Sequence, residues 1–148
     1  MGILERFFDY ARDFELTLRD DDWSRLRDYF APNAQYQVKN SPFACVLDGR
    51  DAIFRGIKKS LDGFDRKFPG RKLEVTQAPE VAGDTLALSW AVTYERPGSP
   101  PLTLRGRSEA RFAGDVITHL SDTYTEANNQ EAASWLRAHG KDIDGSYV

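Results

Sequence analysis

Near the start of the chain, apolar residues fall at helical spacing. Leu4, Phe7, Phe8, Ala11, Phe14 and Leu18, with Arg and Glu between them, predict an amphipathic helix over 3–19. Asp20-Asp21-Asp22 ends it and offers an N-cap to the next helix, because a carboxylate accepts from free backbone N–H groups there. Trp23, Leu26, Tyr29 and Phe30 form the apolar face of a short second helix that Pro32 stops. The period then changes to two over Ala34–Lys39, as in a half-buried strand, and Phe43–Leu47 reads as a second, covered segment before Asp48-Gly49. From Arg50 a helical pattern resumes through Ile53, Phe54, Ile57, Leu61, Phe64 and Phe68, closed by Pro69-Gly70.

Beyond this point the period stays at two. Lys72–Pro79 and Thr85–Glu95 read as strands around a Gly83-Asp84 turn, and Arg96–Pro101 is built of turn residues. Leu102–Phe112 runs back, Ala113-Gly114-Asp115 turns the chain, and Val116–Thr125 completes a meander. Glu131, Ala132, Ala133, Trp135 and Leu136 predict a short closing helix, and residues 141–148 a loose tail after a single domain over 1–140. Helices first and a meander afterwards is an α+β layout. Long strands joined by short turns twist and coil, so the expected architecture is a strongly curved antiparallel sheet wrapped over about three helices.

Strand parity separates two faces. Leu86, Leu88, Trp90, Val92 and Tyr94 share one side of the Thr85–Glu95 strand, and Leu102, Leu104, Gly106, Ser108, Ala110 and Phe112 share one side of the next. The alternate positions include Arg105, Arg107, Glu109 and Arg111, so the even positions face inward. In the last strand the inward set is Val116, Thr118, Leu120, Asp122 and Tyr124, which puts an acid among apolar neighbours. A buried carboxyl is either hydrogen-bonded or has a raised pKa, and the latter suits proton transfer near neutral pH. Asp122 is therefore the candidate catalytic group, unless it lies at the rim where the strand ends.

Tyr36, Trp90, Tyr94 and Tyr124 also face inward, as does Gln77, read with Leu73 and Val75. These aromatics either fill a core or line a flat hydrophobic ligand, and Tyr94 is the expected partner of Asp122. His119 points outward with Ile117 and Ser121.

The formal net charge of −3 gives no footprint for nucleic acid or an anionic membrane. Glu5, Arg6 and Asp9 interrupt the start of the chain, so neither a signal peptide nor a transmembrane span is read there, and the expected compartment is the cytoplasm. Cys45 is the single cysteine, and the histidines show no metal-binding spacing, so no metal and no cofactor are expected.

The stretches Asp22-Trp23-Ser-Arg-Leu26, Tyr29-Phe30-Ala-Pro-Asn-Ala34-Gln-Tyr36, Gly49-Arg50-Asp51-Ala52-Ile53, Gly114-Asp-Val-Ile and Ser121-Asp122-Thr-Tyr124 carry a resemblance. In order and spacing they resemble the nuclear transport factor 2-like superfamily, in particular its SnoaL-like polyketide cyclase and ketosteroid isomerase branches. The resemblance implies a deep pocket between sheet and helices, and a homodimer through the outer sheet face. It fixes no reaction, because the superfamily holds enzymes and non-catalytic binders alike.

The ketosteroid isomerase base is replaced here by Val38, although Tyr10 could stand for one oxyanion donor. The Arg-x-Asp of the epoxide hydrolases has no counterpart around Trp90-Ala-Val92. The resulting expectation is a cofactor-independent isomerase, cyclase or lyase acting on a small hydrophobic carbonyl compound. Asp122 and Tyr94 would be its catalytic groups, with Tyr10, Tyr36, Gln77, Trp90 and Tyr124 binding the ligand. The alternative is a non-catalytic ligand-binding or dimerisation module.

Overall fold

The structure is a computed structural model and describes residues 2–148. The element order is α1 (Ile3–Asp20), a 3-10 helix (Trp23–Tyr29), β1 (Phe30–Lys39), β2 (Cys45–Asp48), α2 (Arg50–Gly63) and a 3-10 turn (Asp65–Lys67). Then come β3 (Gly70–Ala82), β4 (Thr85–Glu95), β5 (Leu102–Ala113), β6 (Val116–Tyr124) and α3 (Glu126–His139).

Local chemistry accounts for the breaks. α1 ends where Asp21 turns into the left-handed region at φ 61°, and Asp22 caps the 3-10 helix by accepting from the Ser24 N–H at 3.2 Å. The third helical run is shorter than its apolar period predicts. It stops at Gly63, and Phe64 and Phe68 reach the interior from a loop and a single 3-10 turn.

The strands form one sheet in the order β2-β1-β6-β5-β4-β3. β3 to β6 are a meander of antiparallel neighbours, as the turn residues predict, but β1 runs parallel to β6. The sheet is thus mixed rather than wholly antiparallel. Period-two patterning shows which residues share a face and is silent on which edge a distant strand joins. The helices α1 and α2 cover the inner face, where Leu26, Ile53, Leu86 and Ile117 are each at most 1% exposed. Burial of each such side chain contributes about 1.5–3 kcal/mol.

Beyond Tyr124 the sheet loses β6, and Asn128 takes over its pairing. The buried Asn128 side chain donates to the Thr103 carbonyl at 3.0 Å and accepts from the Arg105 N–H at 3.1 Å. That anchors α3, longer than predicted, so that Trp135 closes one end of the cone over Phe68. Ile117 of β6 lies on the opposite side from its predicted parity. A register shift between Arg111 and Phe112 turns it inward, while His119 stays exposed.

Residues 141–148 are not loose. The Asp144 N–H donates to the Gly63 carbonyl at 3.0 Å and Ser60 Oγ donates to the Gly145 carbonyl at 2.6 Å. A Cβ at Gly63 would lie 1.8 Å from the Asp144 carbonyl oxygen, so the absence of a side chain there is what lets this segment lie on α2. The segment is polar and short of apolar periodicity, so its docking, which uses backbone groups and glycine clearance, left no trace in hydropathy.

Candidate active site

Between the inner face of the sheet and α1 and α2 lies a cavity of about 370 Å³, within the range of small-molecule sites. Phe8, Leu73 and Val75 line it and are also 41–48% exposed, so its mouth opens between α1 and β3. Two buried carboxyl groups face this cavity, each holding a tyrosine hydroxyl.

The first is Asp122. Ser108 is its direct neighbour across the β5–β6 ladder, and its Oγ donates to Asp122 Oδ1 at 2.6 Å. From β1 the Tyr36 hydroxyl donates to Oδ2 at 2.5 Å, across 86 residues of sequence. Trp90 Nε1–H donates to Ser108 Oγ at 2.8 Å and so fixes the direction in which the serine gives its proton. The indole lies over Gly106, its cross-strand partner; a Cβ there would stand 2.7 Å from the ring. Burial pushes the Asp122 carboxyl above the usual range, and the Ser108 and Tyr36 hydrogen bonds only partly offset this. Among the described residues no cationic side chain pairs with it.

The second is Asp65, in the 3-10 turn after α2. Tyr94 donates to its Oδ2 at 2.8 Å, and Arg71 Nε does so at 3.3 Å. Arg71 lies directly opposite Tyr94 on β3, and its Nη1 also donates to Glu15 of α1. Burial raises the pKa of Asp65, but here the Arg71 charge, the Tyr94 hydroxyl and the Arg71 hydrogen bond oppose it. Burial works against the charge of Arg71 too, yet Tyr94, Glu15 and Asp65 outweigh it and raise its pKa.

Tyr94 is therefore not the partner of Asp122. The register runs Asp122 to Ser108 to Leu88, and Tyr94 lies six positions further along β4, about 20 Å of extended strand away. Tyr36 holds the position expected of Tyr94. Gln77 is also misplaced by the parity argument. Register shifts on either side of it rotate its side chain to the outer face, where Ser89 Oγ donates to it at 3.3 Å.

The remaining residues converge. Tyr10, Tyr36, Trp90 and Tyr124 all line the cavity, and the rings of Trp90 and Tyr124 meet edge to face at 5.6 Å. The Tyr10 hydroxyl makes no hydrogen bond to a described residue, and burial, then the charges of Asp122, Tyr147 and Glu15, raise its pKa. Tyr147 from the docked C-terminal segment completes the wall, its ring 5.9 Å from that of Tyr36.

Sequence reasoning missed Ser108 as a partner although its inward parity was visible. It missed Asp65, Arg71 and Glu15 because each sits on a turn, an edge strand or a helix flank with no period of its own.

A curved mixed sheet, a helical cover and an acid-bearing apolar cavity define a cone-shaped α+β pocket fold. The chain belongs to the SnoaL-like domain family, whose model matches residues 6–120. Solved structures agree at the level of fold. The chain is similar to a hypothetical protein with a ketosteroid isomerase-like fold from Catenulispora acidiphila, in complex with trimethylamine. That likeness has 20% identity and a TM-score of 0.59, covering 81% of this chain and 88% of that one. It is also similar to TerC co-crystallised with polyporic acid, at 16% identity and TM-score 0.63 over 87% of this chain and 95% of that one. An NTF2-like protein from Burkholderia thailandensis matches at 19% identity and TM-score 0.61, over 85% and 95% of the two chains. Among curated proteins no match is found. Among the described residues no helix is long and apolar enough to cross a membrane.

Proposed function

We propose that the chain binds a small hydrophobic carbonyl compound in the cavity and that Asp122 moves a proton on it without a cofactor, as an isomerase, cyclase or lyase does. The observation that carries this reading is the Asp122 carboxyl. It faces an apolar cavity with two hydroxyl donors and, among the described residues, no counter-charge, so its proton affinity is raised above the ordinary carboxylate range. Two of the roughly four acceptor positions of a carboxylate are taken by Tyr36 and Ser108, which leaves lone pairs for a substrate proton. Asp122 would take a proton from the carbon next to the carbonyl, and the electron pair would move onto the carbonyl oxygen. Tyr10 is the donor best suited to that oxygen. Burial keeps its hydroxyl protonated and no described residue occupies it, whereas Tyr94 is engaged by Asp65. Return of the proton to a different carbon completes an isomerisation. In the same reading the protein acts in the cytoplasm as a homodimer through the outer sheet face, where Arg105, Glu109 and Arg111 are exposed.

The test is proton exchange at the α-carbon of 2-tetralone in D₂O, followed by NMR. The native protein should accelerate exchange, and Asp122→Asn should remove about 10²–10⁴-fold of that acceleration. One observation favours a second reading, a non-catalytic binding or dimerisation module: both Asp122 oxygens already hold protein donors, as a structural carboxyl would. Saturable binding of 2-tetralone with no accelerated exchange would select it.

A further inference from the structure

The cavity has a second polar wall that the proton-transfer reading does not use. Asp65, Arg71, Glu15 and Tyr94 all line it, and each of the three charged side chains is at most 29% exposed. Arg71 spends Nε on Asp65 and Nη1 on Glu15, which leaves both N–H groups of Nη2 without a partner among the described residues. Glu15 accepts from Arg71 through Oε1 only among the described residues, so its other oxygen is a spare acceptor on the same wall of the cavity. An anion would meet two carboxylates against one guanidinium there. A group that accepts from Arg71 and donates to Glu15 meets no such conflict, and a hydroxyl does both.

We propose that this wall is a hydroxyl-recognition subsite, and that the ligand is an elongated, largely apolar molecule with an oxygen function at one end for Asp122 and a hydroxyl at the other for Arg71 and Glu15. The inference rests on the proposed function only in taking the cavity as the binding site and Asp122 as the other pole. Tyr10 and Glu15 both project from α1 into the cavity that Asp122 lines. The wall between the two poles is aromatic and flat-sided, as Phe14, Trp90 and Tyr124 are. A site built to bond a hydroxyl rejects an analogue lacking it, because its own buried groups are then left unpaired.

Fluorescence titration with trans-stilbenes tests this. 4,4′-Dihydroxystilbene should bind about tenfold more tightly than 4-hydroxystilbene, the worth of one net hydrogen bond. The 4-hydroxy-4′-methoxy compound, which accepts but cannot donate, should fall between them, and 4-carboxy-4′-hydroxystilbene should bind more weakly than the diol. Asp65→Asn combined with Arg71→Met removes the charge pair together and should erase the difference between the diol and the monohydroxy compound while both still bind. Glu15→Gln provides a second variant with the guanidinium kept, and should lower the preference for the diol over the methoxy compound. Equal affinities for diol and monohydroxy compound in the native protein would overturn the subsite and leave the proton-transfer reading standing. Failure of every stilbene to bind would overturn the cavity as a binding site, and the subsite with it.

Discussion

Asp122 and Asp65 are two answers to one problem, a carboxyl group buried beside a tyrosine in the same cavity. At Asp65 the problem is solved with charge: Arg71 reaches across from β3 and the group sits in an ion pair that continues to Glu15. At Asp122 it is met with hydrogen bonds alone, from Ser108 and Tyr36. The charge of Arg71 opposes the upward shift of Asp65, whereas at Asp122 only neutral donors oppose it. Under the proposed function the first arrangement serves recognition and the second chemistry, and the sheet register keeps them apart.

The largest effect should come from breaking the charged solution. Arg71→Met strands Asp65 without its counter-charge and should destabilise the fold by about 3–5 kcal/mol, read by urea denaturation at neutral pH. Next comes the scaffold of the neutral solution. Gly106→Ala drives a methyl group into the Trp90 ring and should lower stability by about 1–3 kcal/mol. The same titration that follows denaturation through tryptophan fluorescence should show the indole released from Ser108.

Tyr36→Phe and Tyr94→Phe then sharpen the contrast. Each removes one hydroxyl donor at about 1–2 kcal/mol, and each should raise the titration of its acid, with the charge of Arg71 still opposing the rise only at Asp65. Loss of Tyr36 takes away one of the two groups that lower the pKa of Asp122, so its carbon resonance should titrate higher, while Asp65 keeps Arg71.

The smallest effect is one of sign. The folded-state pKa of Asp122 is raised, so the native protein binds more protons than the unfolded chain above the ordinary carboxylate pKa of about 4. Stability from this group is therefore fully present below that value and is lost as pH rises towards the shifted one. Asp122→Asn should raise Tm by a few degrees at pH 8 and leave it unchanged at pH 3. A variant less stable than the native protein at pH 8 would mean that Ser108 and Tyr36 stabilise Asp122 as the carboxylate.

Much of this was legible in the residues. β4 runs from Thr85 to Glu95 as its alternation predicts, and Asp122 faces inward because four neighbours in β6 and β5 set the parity. The resemblance in motif order agrees with the family match. What escaped notice has common physical causes. Bulges reset parity at Gln77 and Ile117. The parallel pairing of β1 with β6 is a matter of topology, which alternation does not encode. Asp65 and Arg71 meet only because a turn and an edge strand fold together, and Tyr147 arrives on a segment whose docking depends on Gly63 lacking a side chain.

The pairing of β1 with β6 has a kinetic consequence. The Tyr36–Asp122 bond joins residues 86 apart in sequence, so it belongs to the contacts whose loop closure costs most and which form slowly. Until β1 docks, Asp122 sits in water with an ordinary carboxyl group and Tyr36 is an ordinary phenol. The hydrogen-bonded state of Asp122 thus needs β1 as well as the meander of β3 to β6. A species that holds β3 to β6 alone would lack the Tyr36 bond, and the titration of Asp122 becomes a clock for arrival of β1 at the native topology.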